Sequence, residues 1–263
     1  MTWTVDVNSD LGEDFGIYKI GQDEDVITYI SSANIACGYH AGDHNVMHHT
    51  VKLAVENNVG IGAHPGFQDL QGFGRRVMDV TPEDVYNMVV YQTSALQGFA
   101  ALYGQDLQHV KPHGALYNMA AKDRSVADAV ARAVLDASKG FGKVPGSGPV
   151  LYALAGSQLV KSGHYVGVKV VEEVFVDRTY EPDGTLTPRS KPGSVIKDIN
   201  HGVIQAVRMV KDGLVTATDG TDISIQADTI CVHGDGPHAL QFVRELRKTF
   251  AELGINVQKP GGN

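Results

Sequence analysis

Short apolar runs typical of strands alternate along the chain with longer stretches whose apolar residues recur at helical spacing. Two helix starts are marked by caps, since Asp43 precedes a helix over 44–58 and Thr81 precedes Pro82 at the first position of another. Further helices are expected at 23–31, at 123–137, as a short segment between 154 and 166, at 195–211 after a Ser194 cap, and at about 237–252. Strands are expected at 5–7, 34–37, 59–63, 108–110, 150–154, 166–171 and 229–232, with a polar hairpin at 214–226.

This alternation makes about seven β/α units, which predicts a parallel sheet with helices outside it. Histidines and acidic residues follow nearly every predicted strand. An open sheet concentrates its site at one switch point, whereas a closed barrel collects side chains from many strand ends. We therefore predict an α/β fold in which residues 1–263 form a single domain, a seven-stranded TIM-like β/α barrel.

Composition limits the classes of protein to which the chain can belong. Its 263 residues are 43% hydrophobic and 20% charged, a mix that builds a globular core rather than a disordered chain. The net charge of −8 and the lack of a Lys/Arg cluster argue against binding to nucleic acid or to a membrane surface. Because no apolar run is long enough for a membrane span and the N-terminus does not resemble a signal peptide, we expect a cytoplasmic protein.

The first predicted strand ends in Asn8-Ser9-Asp10-Leu11-Gly12-Glu13, which would place two carboxylates in one loop. Paired carboxylates can bind a metal ion, or one can act as a base while the other tunes its pKa. Capping of the turn by Asn8, Ser9 and Asp10 is the alternative interpretation.

Histidines follow four other predicted strands, at positions His40, His64, His113 and His233. Two of them have a charged neighbour, since Lys111 precedes His113 by two residues and Asp235 follows His233 by two. A charged group beside a titratable imidazole is typical of a catalytic site. A plain strand stop at Pro112 is the alternative interpretation of the segment around Lys111.

Cationic side chains concentrate in two loops. Arg75 lies in Gly72-Phe73-Gly74-Arg75-Arg76, where backbone amides and guanidinium groups suit a carboxylate or a phosphate, and a solvated basic turn is the competing interpretation. The connection over 177–193 is long and carries Arg178, Arg189 and Lys191. We therefore expect a lid or a binding loop for an anionic ligand.

Two common catalytic motifs are missing from the sequence. There is no Gly-x-x-x-x-Gly-Lys-[Ser/Thr] P-loop and no Gly-x-Ser-x-Gly nucleophile elbow. Cys37 and Cys231 are more typical of small buried side chains than of a nucleophile.

Taken together, the strand ends resemble those of the LamB/YcsF family. The resemblance extends from residue 5 to about residue 254, and Gly-Ala-His-Pro-Gly-Phe at 62–67 and Lys-Pro-His-Gly-Ala-Leu-Tyr at 111–117 are among its motifs. The others lie at 8–13, 33–43, 177–180, 188–193 and 232–235. The resemblance implies a seven-stranded β/α barrel of the glycoside hydrolase/deacetylase type, in agreement with the units counted above.

The resemblance also implies an activity. It points to the A component of an ATP-dependent 5-oxoprolinase, which opens the lactam of 5-oxo-L-proline to L-glutamate while ATP is hydrolysed to ADP and phosphate. ATP with Mg²⁺ would be the cofactor. The partners would be 5-oxoprolinase subunits B and C, which resemble the two halves of an allophanate-hydrolase-like protein.

The resemblance and the residue types together give an expected site. A carboxylate or an imidazole would activate water, and the cations would neutralise phosphate and carboxylate charge. The residues expected to carry the chemistry are Asp10, Glu13, His64, Lys111, His113, His233 and Asp235. Those expected to bind substrate or ATP are Asn8, His40, Arg75, Arg178, Arg189 and Lys191. By analogy with deacetylase-like barrels, the candidate ligands of a divalent metal are Asp10, His64 and His113.

Two other classes of function compete with this one. A metal-dependent deacetylase or carbohydrate hydrolase on the same barrel predicts tight metal binding and hydrolysis without ATP. A non-catalytic subunit that carries a small carboxylate predicts ligand binding with no loss of turnover when the acids and histidines are replaced. The density of titratable residues at strand ends favours catalysis over carriage.

Overall fold

The computed structural model describes residues 2–140, 148–233 and 239–260. Within them the strands are β1 (Trp3–Leu11), β2 (Ser32–Ala36), β3 (Gly60–His64), β4 (His109–Val110), β5 (Val150–Leu154), β6 (Val170–Phe175), β7 (Leu214–Thr216), β8 (Asp222–Ser224), β9 (Thr229–Cys231) and β10 (Ile255–Val257). The helices are α1 (Asp23–Val26), α2 (His44–Glu56), α3 (Pro82–Ala101), α4 (Gly114–Ala120), α5 (Arg124–Gly140), α6 (Gln158–Val166), α7 (Ile199–Asp212) and α8 (Ala239–Glu252).

Seven parallel strands close into a barrel. Strands β1 to β6 pair in chain order, and β9 completes the ring by pairing with β6 on one side and β1 on the other. The register at the closure aligns Thr229 of β9 with both Asp6 and Glu173. This arrangement confirms the predicted seven-stranded TIM-like β/α barrel. Strand β10 adds to the beginning of β1, and β7 and β8 form the antiparallel hairpin predicted at 214–226.

The helices that connect the strands bury one apolar face each. In α3, the side chains of Val85, Val89 and Leu96 are buried. In α2, the side chains of Met47, Val51 and Ala54 are buried. Among the described residues, we find no helix that combines the length and the apolar character needed to cross a bilayer.

The interior of the barrel is polar along β1, where Asp6, Asn8 and Asp10 alternate and are all buried. A buried carboxylate needs hydrogen-bond donors, and hydroxyl groups supply them to Asp6. Burial still raises the pKa of Asp6, because the hydroxyl groups only partly offset the loss of water. The hydroxyl groups that donate to its carboxylate, at 2.6–2.9 Å, belong to Ser31, Ser32, Tyr152 and Thr229.

Several predicted element boundaries were wrong. Strand β6 begins at Val170 instead of 166, because α6 continues to Val166 and then ends in a left-handed turn at Gly167, with φ of 86°. Helix α7 begins at Ile199 instead of 195, because the side chain of Asp198, and not that of Ser194, accepts the cap hydrogen bond from the backbone of residue 201. The helix predicted at 23–31 is four α-helical residues followed by a 3-10 turn.

A longer β1 changes where one predicted site residue lies. Asp10 belongs to β1 and not to the loop after it, because the strand continues to Leu11 through parallel pairing with β2. Glu13 lies in the loop that follows β1. The structure also contains two elements that the pattern does not predict, helix α4 and strand β10.

The N-terminal cap of α3 offers a test of local stability. The Thr81 hydroxyl accepts from the Asp84 backbone at 3.1 Å, and the Asp84 carboxylate accepts from the Thr81 backbone at 2.9 Å. We expect Thr81→Ala to lower the free energy of unfolding by about 1 kcal/mol and the melting temperature by roughly 2–4 °C. Thermal unfolding checks this against Thr2→Ala, which changes an exposed threonine outside any helix. Equal melting temperatures for the two variants would contradict it.

Candidate active site

The floor of the site is a buried ion cluster around Lys111, which follows directly on β4. Its ammonium nitrogen Nζ lies 2.8 Å from Glu173 Oε1 and 3.1 Å from Asp10 Oδ1. It also donates to the Asn8 side-chain oxygen at 3.2 Å and to the Cys231 sulfur at 3.1 Å. The lysine therefore joins side chains from β1, β6 and β9 across the barrel.

Charge pairing decides the protonation state of this cluster. Burial disfavours the charged lysine, but the neighbouring carboxylates, Asp10 foremost, outweigh that effect and raise the pKa of Lys111 well above its usual value. Burial likewise opposes ionisation of Asp10, yet His64 and Lys111 lower its pKa well below the usual range. Burial raises the pKa of Cys231 far above that of an ordinary thiol. The cluster thus holds a charged lysine and a neutral thiol.

Glu173 is one of the polar residues expected at the end of a predicted strand, without an assigned role, and the structure places it in the floor of the site. Its second carboxylate oxygen, Oε2, accepts a hydrogen bond of 2.7 Å from the hydroxyl of Tyr117 in α4. Asn34 in β2 is missed, although its amide donates to Asp10 Oδ1 at 2.8 Å. A polar residue inside an otherwise apolar strand is the signal that could have identified Asn34.

Above this floor lies a second buried group, the histidine cluster, which consists of Glu13, His40, His64 and His113. Ring nitrogens Nδ1 of His113 and Nε2 of His64 are 2.9 Å apart, and His64 Nε2 is 3.3 Å from Asp10 Oδ2. His40 stacks on His113 with ring centroids 3.7 Å apart and planes within 2°. One ligand atom from each member of the histidine cluster lies within 4.8 Å of those of the others.

The environment of His40 and His113 favours uncharged rings. Burial lowers the pKa of His40 well below its usual value, and the nearby His113 and His64 lower it further. Burial also lowers the pKa of His113 well below its usual value, and the nearby His64 lowers it further. The parallel stacking of His40 on His113 agrees with two neutral imidazoles, since two imidazolium rings at that distance would repel each other.

Gly74 allows the loop after β3 to approach these rings closely. Its φ is 64°, which is the left-handed region, and a Cβ there would lie 2.7 Å from the Cβ of His40 and 2.9 Å from Cδ2 of His113. The carbonyl of the preceding residue, Phe73, accepts a hydrogen bond of 2.9 Å from His113 Nε2. The glycine-containing loop predicted as an anion site therefore also fixes the position of His113.

The floor and the histidine cluster open into one cavity of about 500 Å³. Acidic, imidazole and cationic side chains all line it. The acidic and imidazole side chains are those of Asp10, His64, His113 and His233. The cationic side chains are those of Arg75, Lys111, Lys122, Arg178 and Arg189. A cavity of this size accommodates a small ligand, and its cations suit a ligand that carries negative charge.

Arg178 ties the long connection over 177–193 to the barrel. Its guanidinium donates to the carbonyl of Thr187 at 2.6 Å and to that of Ser194 at 3.0 Å. Burial and the nearby Arg189 lower the pKa of Arg178 to about 10. Arg189 itself is exposed at the cavity mouth, whereas Lys191 forms an ion pair of 3.1 Å with Glu181 and is not among the lining residues.

His233 follows β9 and forms an ion pair with Asp177, whose carboxylate oxygen Oδ2 lies 2.8 Å from its Nδ1. Burial opposes ionisation of Asp177, but His233 outweighs it and lowers the pKa of that carboxyl. Asp235, predicted beside His233, lies outside the described residues.

The whole chain is similar to several known proteins. The family model described as LamB/YcsF matches residues 5–262. The A component of 5-oxoprolinase from Oceanobacillus iheyensis is 55% identical over 259 residues, which is 98% of each chain. Its counterpart from Bacillus subtilis is 53% identical over 253 residues, 96% of this chain and 95% of that one. A solved structure, the lactam utilization protein of Thermus thermophilus, aligns with a TM-score of 0.88 at 43% identity, covering 97% of this chain and 99% of that chain.

Proposed function

This chain belongs to the LamB/YcsF family, and from that premise we propose that it is the A component of an ATP-dependent 5-oxoprolinase. The reaction would open the lactam of 5-oxo-L-proline to L-glutamate, with ATP hydrolysed to ADP and phosphate. The observation that carries the proposal is that both buried acid–base groups and cationic side chains line one cavity of about 500 Å³. A small ring with a carboxylate needs both features.

The chemistry explains why hydrolysis of ATP accompanies ring opening. A five-membered lactam is a stabilised amide and a poor electrophile. Transfer of the γ-phosphoryl group of ATP to the amide oxygen releases ADP and makes the ring carbon electrophilic. Water then adds to that carbon, and the carbon–nitrogen bond breaks as the nitrogen takes a proton. A second water releases phosphate from the resulting acyl phosphate.

Residues in the cavity and beside it would divide between proton transfer and charge neutralisation. Asp10 or His113 in the cavity, or Glu13 beside His113, would accept a proton from the attacking water, and their burial keeps competing water away. Lys111 would stabilise the oxygen that becomes negatively charged at the ring carbon. Three of the arginines that line the cavity, Arg75, Arg178 and Arg189, would bind the substrate carboxylate and the phosphoryl group.

Other predicted residues would act through these groups. The Asn8 amide donates to Glu173 Oε1 at 3.0 Å while its oxygen accepts from Lys111, so Asn8 would position the lysine. His40 lies 3.3 Å from Glu13 and would orient that carboxylate. Mg²⁺ would accompany ATP as its counter-ion, and partner subunits B and C would complete the enzyme.

Reconstitution of the complex tests this proposal. The chain is co-expressed with subunits B and C, and release of glutamate is measured with and without ATP and 5-oxo-L-proline. We expect turnover only with all three subunits and ATP, and we expect Asp10→Asn to lower it by about 10²–10⁴-fold. Asp79→Asn, which changes an exposed carboxylate, serves as the matched control.

Three outcomes would count against the proposal. ATP-dependent turnover by the isolated chain would contradict the need for three subunits. Release of glutamate without ATP would contradict the coupling. Binding of 5-oxo-L-proline with undiminished turnover in Asp10→Asn would favour a carrier role over a catalytic one.

A further inference from the structure

Two buried imidazole nitrogens face each other in the histidine cluster, and their other contacts determine which nitrogen carries the proton of each ring. Nδ1 of His64 lies 2.7 Å from the carbonyl oxygen of Lys111, and Nε2 of His113 lies 2.9 Å from that of Phe73. A carbonyl oxygen can only accept, so each of these nitrogens carries a hydrogen. In a neutral ring the remaining nitrogen is then a pure acceptor. When both rings are neutral, His64 Nε2 and His113 Nδ1 are such acceptors, and they are 2.9 Å apart.

Carboxylate oxygens approach the same two nitrogens. Asp10 Oδ2 lies 3.3 Å from His64 Nε2, and Glu13 Oε1 lies 3.7 Å from His113 Nδ1. Two nitrogen and two oxygen lone pairs therefore converge on a small buried volume. Lone pairs at such distances repel each other unless a positive charge lies between them.

A shared proton or a metal ion could supply that charge, and the surroundings favour the metal. A proton placed between the two rings would satisfy only the single contact between His64 Nε2 and His113 Nδ1. A metal ion can accept lone pairs from both nitrogens and from the carboxylates at the same time. Neutral imidazole is the form that ligates metal ions.

We propose that His64 Nε2 and His113 Nδ1, together with Glu13 and Asp10, bind a divalent first-row transition-metal ion such as Zn²⁺ or Co²⁺. Two imidazole ligands favour such an ion over Mg²⁺, which prefers oxygen ligands and several waters. This ligand set extends the predicted triad of Asp10, His64 and His113 by Glu13. When bound, such an ion makes a coordinated water more acidic.

The surrounding contacts have the character of an outer ligand shell. Metal-binding histidines usually donate their second ring hydrogen to a carbonyl or carboxylate oxygen, which fixes the tautomer, and His64 and His113 both do so. His40 supports Glu13: its Nδ1 has no hydrogen-bond partner, so its proton belongs on Nε2, which lies 3.3 Å from Glu13 Oε1. The cavity that Asp10, His64 and His113 line provides a path of entry for the ion.

Metal binding to the full chain tests this inference. The protein is stripped with a chelator, dialysed and titrated separately with Zn²⁺, Co²⁺ and Mg²⁺, and bound metal is measured by elemental analysis and by the visible spectrum of Co²⁺. We expect about one tightly bound Zn²⁺ or Co²⁺ per chain and no tight binding of Mg²⁺. His113→Gln should weaken Zn²⁺ binding by more than ~100-fold, and His40→Gln by about 10–100-fold. His49→Gln, which changes an exposed histidine of α2, should have no effect.

Two results would overturn the inference. One is less than about a tenth of an equivalent of bound Zn²⁺ or Co²⁺ at saturating concentrations in the unmodified chain. The other is unchanged Zn²⁺ affinity in His113→Gln with circular dichroism identical to that of the unmodified chain. If His113→Gln does not fold, Glu13→Gln is used instead, with an expected loss of at least ~10-fold. The readout is bound metal, so a metal-free complex that still converts 5-oxo-L-proline would refute this site and leave the proposed function intact.

Discussion

Replacing Lys111 with methionine is expected to damage stability and turnover together. Methionine keeps most of the side-chain length but removes the charge that separates the carboxylates of Asp10 and Glu173, which lie 3.1 and 2.8 Å from Nζ. Removing one partner of a buried ion pair typically costs about 3–5 kcal/mol, because the remaining charge is buried without compensation. Urea unfolding of the isolated chain measures this cost. In the reconstituted complex, loss of the positive charge beside the reacting oxygen should lower turnover by roughly 10²–10³-fold.

A second substitution separates the two effects of Lys111. The double variant Lys111→Met/Glu173→Gln removes one carboxylate charge as well, so the excess negative charge falls and most of the lost stability should return. Turnover should not return, because the ammonium group is still absent. A double variant with normal turnover would contradict the role of Lys111 in the reaction. A cost below about 1 kcal/mol for Lys111→Met would contradict the description of the cluster as a buried ion pair.

Replacing Arg178 with glutamine should have the second large effect, and that effect should fall on substrate affinity. The guanidinium lines the cavity and is largely buried beneath the connection that it ties down. A hydrogen bond to a charged group contributes about 1.5–3 kcal/mol, so we expect the KM for 5-oxo-L-proline to rise by about 10–150-fold in the complex. The connection should also loosen, because two of its carbonyls, those of Thr187 and Ser194, lose their donor.

Steady-state kinetics and limited trypsin digestion check these two consequences of Arg178→Gln. Digestion is followed at Arg189, the trypsin site of the connection that the substitution leaves in place, because Lys191 precedes Pro192 and is not cleaved. Arg208→Gln is the matched control, because Arg208 pairs with Asp222 at the surface, where Nη1 lies 2.8 Å from Oδ1. Faster digestion with an unchanged KM would assign Arg178 a purely structural role. No change in either measurement would contradict both parts of the prediction.

The order of the elements could be predicted because its determinants are local. Caps such as Asp43 and Thr81 act on backbone groups two or three residues away, and strand runs are limited by nearby turns. The boundary errors also have local causes, but the hydrophobic pattern of the sequence does not reveal them. At Gly167, a left-handed cap extends α6 into residues that look like strand, and the true strand then contains Glu173.

The candidate site could be predicted only as a set of residues. Histidines and acids at strand ends indicate a common mouth, and the structure brings Asp10, His64, His113 and His233 to one cavity. Lys191 has the same sequence signal but lies in a surface ion pair with Glu181. Residue type and position after a strand do not reveal which way a long side chain turns.

The amino-acid sequence by itself determined the rhythm of strands and helices, because hydrophobic periodicity, capping and turn chemistry act over a few residues. The motifs at the strand ends indicated the barrel and the family. Only the tertiary structure decided which charges and imidazoles meet. Asn8 contacts Thr229 from 221 positions away, and Lys111 contacts Cys231 from 120 positions away. Such contacts depend on the register at which β9 closes the ring between β6 and β1. That register is set by packing across the whole barrel, so no local pattern encodes it.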